Sequence, residues 1–156
     1  MVIYFYTTKS MYGEFSNFAP YGIEFDGLWW PTVEHYFQAQ KFIDKVYQEQ
    51  IRTAAKPALA KKLGRTRQVP LRQDWEMVKD EIMLVAVRKK FAIHQKLKKL
   101  LLNTGNSLLV ENAPTDYYWG CGQDGTGKNR LGITLMQVRS ELSALDPLED
   151  SLILNC

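Results

Sequence analysis

A chain of 156 residues with 46% hydrophobic and 24% charged side chains has the length and composition of one globular domain that can bury its own core. No apolar run approaches the roughly 20 residues that span a bilayer, and the N-terminus has neither the basic region nor the long apolar core of a signal peptide, so we expect a cytoplasmic protein. The net charge of +3 is too small to require nucleic acid as a partner.

The first elements of the chain are predicted to be extended. Val2–Tyr6 is a short aromatic and β-branched run that is typical of a strand. In the loop Ser10–Pro20, Asn17 either belongs to a simple Asx-type turn or offers its amide to a ligand. Asp26-Gly27, between the alternating residues of Ile23–Trp30, indicates a β-hairpin.

The stretch Trp29–Phe42 is predicted to continue into a helix. Thr32 is a suitable N-cap because its hydroxyl can accept a hydrogen bond from an otherwise unpaired backbone N–H. At about 100° per residue, Glu34, Gln38 and Lys41 fall within a sector of roughly 60° on that helix. This polar stripe is either a solvated face or the wall of a pocket in which Glu34 and Lys41 shift each other's charge state. The aromatic residues beside it favour the pocket.

Helical periodicity dominates the rest of the chain. The longest predicted helix presents Trp75, Val78, Ile82 and Val85 on one face, and the last carries a leucine stripe that we expect in the core. We expect one domain over residues 1–145, and a tail over 146–156 that is either loose or docked on a neighbour. Helices are predicted over Val46–Ala54, Pro57–Leu63, Trp75–His94, Leu97–Leu102 and Leu131–Leu145, with a brief strand over Leu108–Val110.

Basic residues concentrate in two stretches. Arg88–Lys99 is interpreted as a solvated helix face. Lys61–Arg72 contains an apparent turn, in which Arg65 either stays solvated or binds a phosphate.

A glycine-rich stretch, Tyr117–Gly132, holds five of the ten glycines. Gly122–Lys128 fits the GxxxxGK pattern, whose backbone N–H groups cradle phosphate, but Asn129 stands where that motif needs Ser or Thr to hold magnesium. We therefore expect an anion seat rather than a nucleotide hydrolase. Asp116, beside this stretch, is a candidate functional carboxylate.

Residues that bind metals are sparse. Cys121 and Cys156 lie far apart without a CxxC partner, so neither zinc nor a disulfide framework is expected. His35 and His94 complete no metal set either. No metal and no cofactor are predicted.

Several of these segments closely resemble the NADAR, or YbiA-like, family from about Ile3 to Leu145. The resemblance implies a mainly α (α+β) domain of orthogonally packed helices with a small antiparallel β element. It also implies N-glycosidase activity on the bond between ribose 5-phosphate and the pyrimidine amine of early riboflavin-pathway intermediates. More distant members remove ADP-ribose from guanine in nucleic acid. The motifs that carry the resemblance are Ser16-Asn17-Phe18, the stretch WPTVEHYFQAQKF at 30–42, Tyr118-Trp119-Gly120 and the stretch GKNRLG at 127–132.

The family's motif residues match here at Asn17, Trp30, Glu34, Gln38, Lys41, Trp119 and Asn129. The chemistry of breaking a ribosyl C–N bond then suggests roles for particular residues. Glu34 either stabilises positive charge on the sugar or activates water, and Lys41 either hydrogen-bonds the sugar or forms a Schiff base with the opened ribose. Asp116 is a further catalytic candidate. The predicted substrate-binding residues are Asn17, Trp30, Gln38, Arg65, Trp75, Trp119, Gly127, Lys128 and Asn129, with tryptophans stacking a heterocycle and Arg65 and the glycine-rich loop holding the 5-phosphate.

Family members often carry an acid at the position of Cys121. This departure is the argument for a competing hypothesis, a nucleotide-binding or ADP-ribose-binding module without catalysis. A hydrolase for ADP-ribosylated nucleic acid predicts a broad basic face, which the modest net charge disfavours. The expected partner is thus a small phosphorylated ribosyl compound, with nucleic acid a partner only under the ADP-ribose alternative and no membrane association.

Overall fold

The computed structural model describes residues 1–145, and the predicted tail 146–156 lies outside the described residues. Helices dominate and strands are short, which confirms the mainly α, α+β class. Among the described residues no helix is both long and apolar enough to cross a membrane. In chain order the elements are β1 (Val2–Phe5), a 3₁₀ turn (Gly13–Phe15), β2 (Ile23–Phe25), β3 (Leu28–Trp30), α1 (Val33–Ala39), α2 (Lys45–Arg52), α3 (Pro57–Gly64), α4 (Trp75–Ile93), α5 (Gln95–Asn103), β4 (Leu108–Glu111) and α6 (Arg130–Leu145).

The predicted hairpin is confirmed. β2 and β3 pair antiparallel, with Ile23 opposite Trp30. Asp26 and Gly27 between them have positive φ angles of 53° and 79°, as a tight primed turn requires. The hairpin therefore leads the chain directly into α1.

A second pairing joins distant parts of the chain. β1 runs parallel to β4, from Val2 beside Leu108 to Phe5 beside Glu111. Both strands were predicted, but their pairing was not, because nothing local in either strand specifies a partner so far away in sequence. The loops that follow β1 and β4 leave the pair from the same edge, since parallel strands end at the same side.

α1 begins as predicted and ends earlier. The Thr32 side chain accepts a hydrogen bond from the His35 N–H, which confirms the N-cap. The helix ends at Ala39, so the expectation that Lys41 lies on it is wrong. The physical reason is tertiary: Phe42 forms a β-bridge with Leu71, and the Lys41 carbonyl accepts from the Arg72 N–H at 2.8 Å. These contacts draw the chain out of the helix.

The predicted face of α4 lies only in part in the core, where Trp75 at the start of the helix is buried. Val78, Ile82 and Val85 are half-buried. α4 packs against α1, α5, α6 and β2, so neighbours cover it on several sides and no single stripe defines its interior. Its fully buried side chains include Met83, Ala86, Val87, Lys90 and Phe91.

The burial of Lys90 corrects the interpretation of Arg88–Lys99 as a solvated face. Lys90 is 1% exposed, and its ammonium donates to the carbonyls of Glu14 at 2.7 Å and Ser16 at 2.9 Å. A charge can be buried when its hydrogen bonds are made, and here the carbonyls of a loop supply them. Lys90 thus ties α4 to the loop that carries Asn17.

The leucine stripe of α6 lies in the core, as predicted. Leu131, Leu135, Val138 and Leu142 are buried, whereas Leu145 at the end of the helix is exposed. α6 packs on α4, α5 and β4, so this stripe closes the core on the side away from α1.

Candidate active site

The polar stripe of α1 faces a cavity of about 160 Å³. Glu34 is 6% exposed and Gln38 is 5% exposed, so the stripe is a pocket wall and not a solvated face. Elements from the whole chain meet here: α1, the end of α3, the loop after β1 and the loop after β4. Of the predicted site residues, those that line the cavity are Asn17, Glu34, Gln38, Lys41, Arg65, Asp116 and Trp119.

Glu34 is fixed by two hydrogen bonds. Its backbone N–H donates to the Asn17 carbonyl at 3.1 Å, and its Oε1 accepts from Gln38 Nε2 at 2.8 Å. Burial raises the pKa of Glu34, while the Gln38 hydrogen bond and the charges of Lys61 and Lys41 act against the rise. The same cavity therefore contains both the carboxyl group whose charged form burial disfavours and the cations that oppose this effect.

Lys41 lies beside aromatic rings rather than in open water. Its Nζ is 6.0 Å from the centroid of Phe37 and 5.9 Å from that of Trp75, and it donates to the Gly64 carbonyl at 3.4 Å. Burial lowers the pKa of Lys41, and Glu34 partly opposes this shift. The amine is easier to deprotonate than that of an ordinary lysine, which a nucleophilic role requires.

Asn17 presents an unsatisfied acceptor. Its Oδ1 is buried and has no hydrogen-bond partner among residues 1–145, and its Nδ2 lies 3.4 Å from the sulfur of Met83. The local turn is made instead by Ser16, whose hydroxyl accepts from the Phe18 N–H at 3.2 Å. The two alternatives for Asn17 were an Asx-type turn and a contact with a ligand. Because Ser16 makes the turn, the amide of Asn17 is available to a ligand.

Asp116 lines the cavity but is engaged in a turn. Its Oδ1 accepts from the N–H groups of Tyr118 at 2.9 Å and Trp119 at 2.8 Å. These bonds orient Trp119, whose ring meets Phe37 edge-on with centroids 5.2 Å apart. In the structure Asp116 stabilises this turn, and its catalytic role stays a prediction.

The expectation that Trp30 and Trp75 offer their faces to a ligand here is corrected. Both are buried, and neither is among the described residues that line the cavity. Trp30 packs edge-on against Tyr36 with centroids 5.3 Å apart, and Trp75 packs on Phe37 with centroids 5.1 Å apart. Both tryptophans therefore pack against aromatic residues of α1 and stabilise the helix that forms the cavity wall.

The predicted anion seat in the glycine-rich loop is also corrected, because most of its backbone donors are already used. The N–H of Gly127 donates to the Cys121 carbonyl at 2.7 Å, and that of Lys128 donates to the Tyr117 carbonyl at 2.8 Å. Neither residue is among those of 1–145 that line the cavity. The glycine serves close packing, since a Cβ at position 127 would lie 2.4 Å from the Gly120 carbonyl oxygen.

Asn129 is structural rather than a cavity residue. It has a positive φ of 50°, its Oδ1 accepts from the Glu111 N–H at 3.0 Å, and its Nδ2 donates to the Leu109 carbonyl at 2.9 Å. Its side chain thus satisfies the backbone at the end of β4.

Two charged residues of the cavity were missed by the sequence prediction. Lys61 of α3 lies within the basic stretch that was identified, but only Arg65 was chosen from it. Glu111 ends β4, and burial together with Asp116 and Glu34 raises its pKa to about 8. The sequence does show that Glu111 is an acid at the end of a predicted strand. Its place in the cavity could be predicted only from the pairing of β1 with β4, which brings the ends of the two strands together.

Known proteins are similar to this chain in sequence and in fold. Residues 4–143 match the NADAR domain family. The N-glycosidase YbiA of Escherichia coli is 51% identical over 142 residues, which cover 91% of this chain and 89% of that protein. An NMR structure of YbiA gives a TM-score of 0.86 and covers 95% of this chain and 88% of that one.

Two further relatives match over more than nine-tenths of this chain. An N-glycosidase of Nostoc punctiforme is 51% identical over 148 residues, 93% of this chain and 95% of that protein. The chloroplastic riboflavin biosynthesis protein PYRR of Zea mays is 41% identical over 161 aligned positions, 94% of this chain but 26% of that protein. Matched over nearly all its length, this chain belongs to the NADAR domain family.

Proposed function

We propose that this enzyme, an N-glycosidase, hydrolyses the ribosyl C–N bond of phosphorylated ribosylaminopyrimidine intermediates of riboflavin biosynthesis and releases ribose 5-phosphate. The observation that carries the proposal is the buried carboxyl group of Glu34 in a cavity that also contains Lys41, Lys61 and Arg65. Such a cavity offers a negative charge to the sugar and positive charges to a phosphate. The riboflavin name of the maize relative and the N-glycosidase names of closer relatives support the substrate class.

The carboxylate of Glu34 stabilises the transition state in which the ribosyl C–N bond breaks. When a ribosyl C–N bond breaks, positive charge develops at C1′ and the ring oxygen. A carboxylate that is already in place stabilises this charge without reorganising, which is worth more in a buried site than in water. Glu34 is held by Asn17 and Gln38 in this way.

Lys41 completes the reaction by one of two routes. As a neutral amine it attacks C1′, and opening of the ribose ring then gives a Schiff base that water hydrolyses to ribose 5-phosphate. As an ammonium it donates a hydrogen bond to the sugar while water attacks. Burial, which lowers the pKa of Lys41, supports the first route.

We assign binding of the 5-phosphate to two cations, Lys61 in α3 and Arg65 at the C-terminal end of this helix. Lys61 projects from α3, and Arg65 caps its C-terminus. Guanidinium groups bind phosphate through paired N–H donors, which fits a recognition role for Arg65.

A binding module without catalysis loses its main argument. Cys121 was that argument, and among the described residues it is not one of those that line the cavity. Its sulfur instead lies 3.5 Å from Asn112 Oδ1 and 3.4 Å from the Gly122 carbonyl. An acid is therefore not required at this position for the cavity to keep its own carboxyl groups.

The test offers both substrate classes to the protein. We expect purified protein to release ribose 5-phosphate from a phosphorylated ribosylaminopyrimidine, detected by mass spectrometry. An oligonucleotide with ADP-ribosylated guanine should yield little ADP-ribose. Release of ADP-ribose alone would establish the alternative substrate, and tight binding of ribose 5-phosphate without turnover of either compound would establish a binding module.

A further inference from the structure

Glu111 stands at the boundary between two cavities. Beside the cavity of Glu34 lies a second one of about 320 Å³, twice the volume of the first. The second cavity is lined by Tyr6, Thr7 and Thr8 from the loop after β1 and by Thr115 from the loop after β4. Glu111 lines both cavities, as do Ser16, Phe18, Lys61 and Asp116, so its side chain lies where the two cavities adjoin.

The surroundings of Glu111 differ from those of Glu34 in the sign of their charge. Glu34 is faced by Lys61, Lys41 and Arg65 and accepts a hydrogen bond from Gln38. Glu111 is faced by the carboxyl groups of Asp116 and Glu34, with Lys61 as an opposing cation. Burial raises the pKa of both acids, but the cations and the Gln38 hydrogen bond oppose the rise at Glu34, whereas neighbouring carboxyl groups add to it at Glu111. This difference suits the separate roles of stabilising carboxylate and proton donor.

The carboxyl group of Glu111 is also free to act. Its Oε2 is buried and makes no hydrogen bond within residues 1–145. Burial with carboxylate neighbours raises the pKa of Glu111 to about 8, so the group carries a proton at neutral pH. The other acid that lines both cavities, Asp116, is instead engaged in a turn, where its Oδ1 accepts two backbone hydrogen bonds.

We infer that Glu111 is the general acid that protonates the departing amine nitrogen, and that the second cavity holds the pyrimidine while the first holds ribose 5-phosphate. This inference rests on the proposed function. A buried acid between the two subsites is next to the bond that must break. The hydroxyl groups of Thr7, Thr8 and Thr115 and the ring of Tyr6 offer the mixed polar and flat contacts that a pyrimidine uses.

The step balances without a further reactant. Glu111 gives its carboxyl proton to the nitrogen, the C1′–N bond breaks with its electron pair passing to nitrogen, and a neutral amine leaves. The positive charge on the sugar is met by Glu34 until water or Lys41 attacks C1′. On the water route the water proton passes to Glu34, and exchange with solvent then restores the proton of Glu111 and the charge of Glu34.

A leaving-group comparison tests the acid. We expect Glu111→Gln to lower kcat/KM for the ribosylaminopyrimidine phosphate by about 10²–10⁴, the usual worth of a general acid. On 4-nitrophenyl riboside 5-phosphate, whose phenolate leaves without a proton, we expect a loss below about 10-fold. Glu34→Gln should impair both substrates, and Glu81→Gln on the exposed side of α4 should impair neither.

A pH profile gives an independent reading of the same proton. The kcat/KM of the wild type on the aminopyrimidine substrate should fall above pH of about 8 as Glu111 loses its proton. This alkaline limb should be absent in Glu111→Gln and present in Glu111→Asp, which keeps a carboxyl group and checks that loss of activity is not loss of fold. Equal losses on both substrates, or an alkaline limb that persists in Glu111→Gln, would overturn the inference.

Filling the second cavity tests the subsite assignment. Thr115→Trp should raise KM for the aminopyrimidine substrate at least about 10-fold and leave inhibition by ribose 5-phosphate unchanged, since the product occupies the first cavity alone. A matching loss of ribose 5-phosphate inhibition would place the base elsewhere. If the wild type cleaves neither substrate, the proposed function itself fails; if it cleaves both and only the variant pattern is wrong, this inference alone fails.

Discussion

The proposed catalytic role of Glu34 depends on the charge of its side chain more than on its shape. The main-chain bond to Asn17 and the side-chain bond to Gln38 hold the carboxyl group towards the cavity. Glutamine at position 34 would keep the size and much of the hydrogen bonding but could not oppose a positive charge. The substitution Glu34→Gln therefore separates catalysis from binding.

We expect Glu34→Gln to lower kcat on the order of 10²–10³, the effect of losing one preorganised electrostatic partner. Affinity for ribose 5-phosphate should change far less, because the ground-state sugar carries no positive charge. Steady-state kinetics and calorimetric titration measure the two quantities, with the exposed Glu76→Gln as the matched control. Full turnover by Glu34→Gln would show that another group stabilises the sugar.

Lys41→Arg tests the covalent route. Arginine keeps the positive charge but is too basic to form an imine, so we expect turnover to fall by at least about 10². Borohydride added during turnover of the wild type should leave a reduced sugar adduct on Lys41, located by peptide mass spectrometry. The exposed Lys62→Arg is the control. Retained activity in Lys41→Arg without a trapped adduct would assign Lys41 the hydrogen-bonding role.

The packing of α3 against α1 controls the geometry of the Glu34–Gln38 pair. A Cβ at Gly64, the last residue of α3, would lie 1.9 Å from Gln38 Oε1. The carbonyl of Gly64 also accepts from Lys41 Nζ. A glycine at position 64 is therefore needed for the close approach of the two helices.

We expect Gly64→Ala to displace the Gln38 amide from Glu34 and to lower kcat. Its effect on the free energy of unfolding should be about 1–3 kcal/mol, typical of overpacking, because the added methyl meets only the Gln38 side chain among its nearest atoms. Kinetics and urea unfolding measure both. In a Gln38→Ala background the added methyl should matter much less, and additive effects of the two changes would contradict this account.

The two candidate phosphate-binding segments behave differently under substitution. Arg65→Ala should raise KM roughly 10- to 100-fold with little change in kcat, because a phosphate contact exists equally in the ground and transition states. Lys128→Ala should leave both constants near those of the wild type, since Lys128 lies away from the cavity and its Nζ is 5.4 Å from the Tyr118 ring centroid. A pure kcat effect of Arg65→Ala, or an equal KM rise in Lys128→Ala, would contradict the assignment.

What could be predicted from the sequence is what local periodicity encodes. The hairpin at Asp26-Gly27, the cap at Thr32 and the leucine stripe of α6 depend on neighbours a few residues apart, and all were confirmed. The premature end of α1, the burial of Lys90 and the closed backbone of the glycine-rich loop depend on contacts with distant segments. Local patterns carry no information about such partners, so those features emerged only from the folded chain.

Lys90 links the stability of the whole fold to pH. Burial lowers the pKa of Lys90 to about 7 from a model-peptide value of 10.5. Between these values the unfolded chain binds more protons at this site than the folded one, so this residue makes the free energy of unfolding rise with pH. Below pH of about 7 both states are protonated, and the contribution is constant.

We therefore expect the wild type to gain stability relative to Lys90→Met as pH rises from about 7 to 10. Urea unfolding at a series of pH values measures the difference. Lys96→Met, which alters an exposed lysine, should track the wild type across the same range. Parallel profiles for Lys90→Met and the wild type would show that Lys90 keeps its ordinary proton affinity.

The parallel pair of β1 and β4 also sets the order of events during synthesis. β1 is made first, yet its hydrogen-bonding partner, Leu108–Glu111, follows only after α1 to α5 have been translated. The loops after these two strands both contribute to the cavity of Glu34. On the ribosome, α1 to α5 are thus available before the cavity, because β4 is made after them and its pairing with β1 must close a long loop. Activity should arise only when the Glu111–Trp119 segment has left the exit tunnel, and release of nascent chains at successive lengths would reveal that threshold.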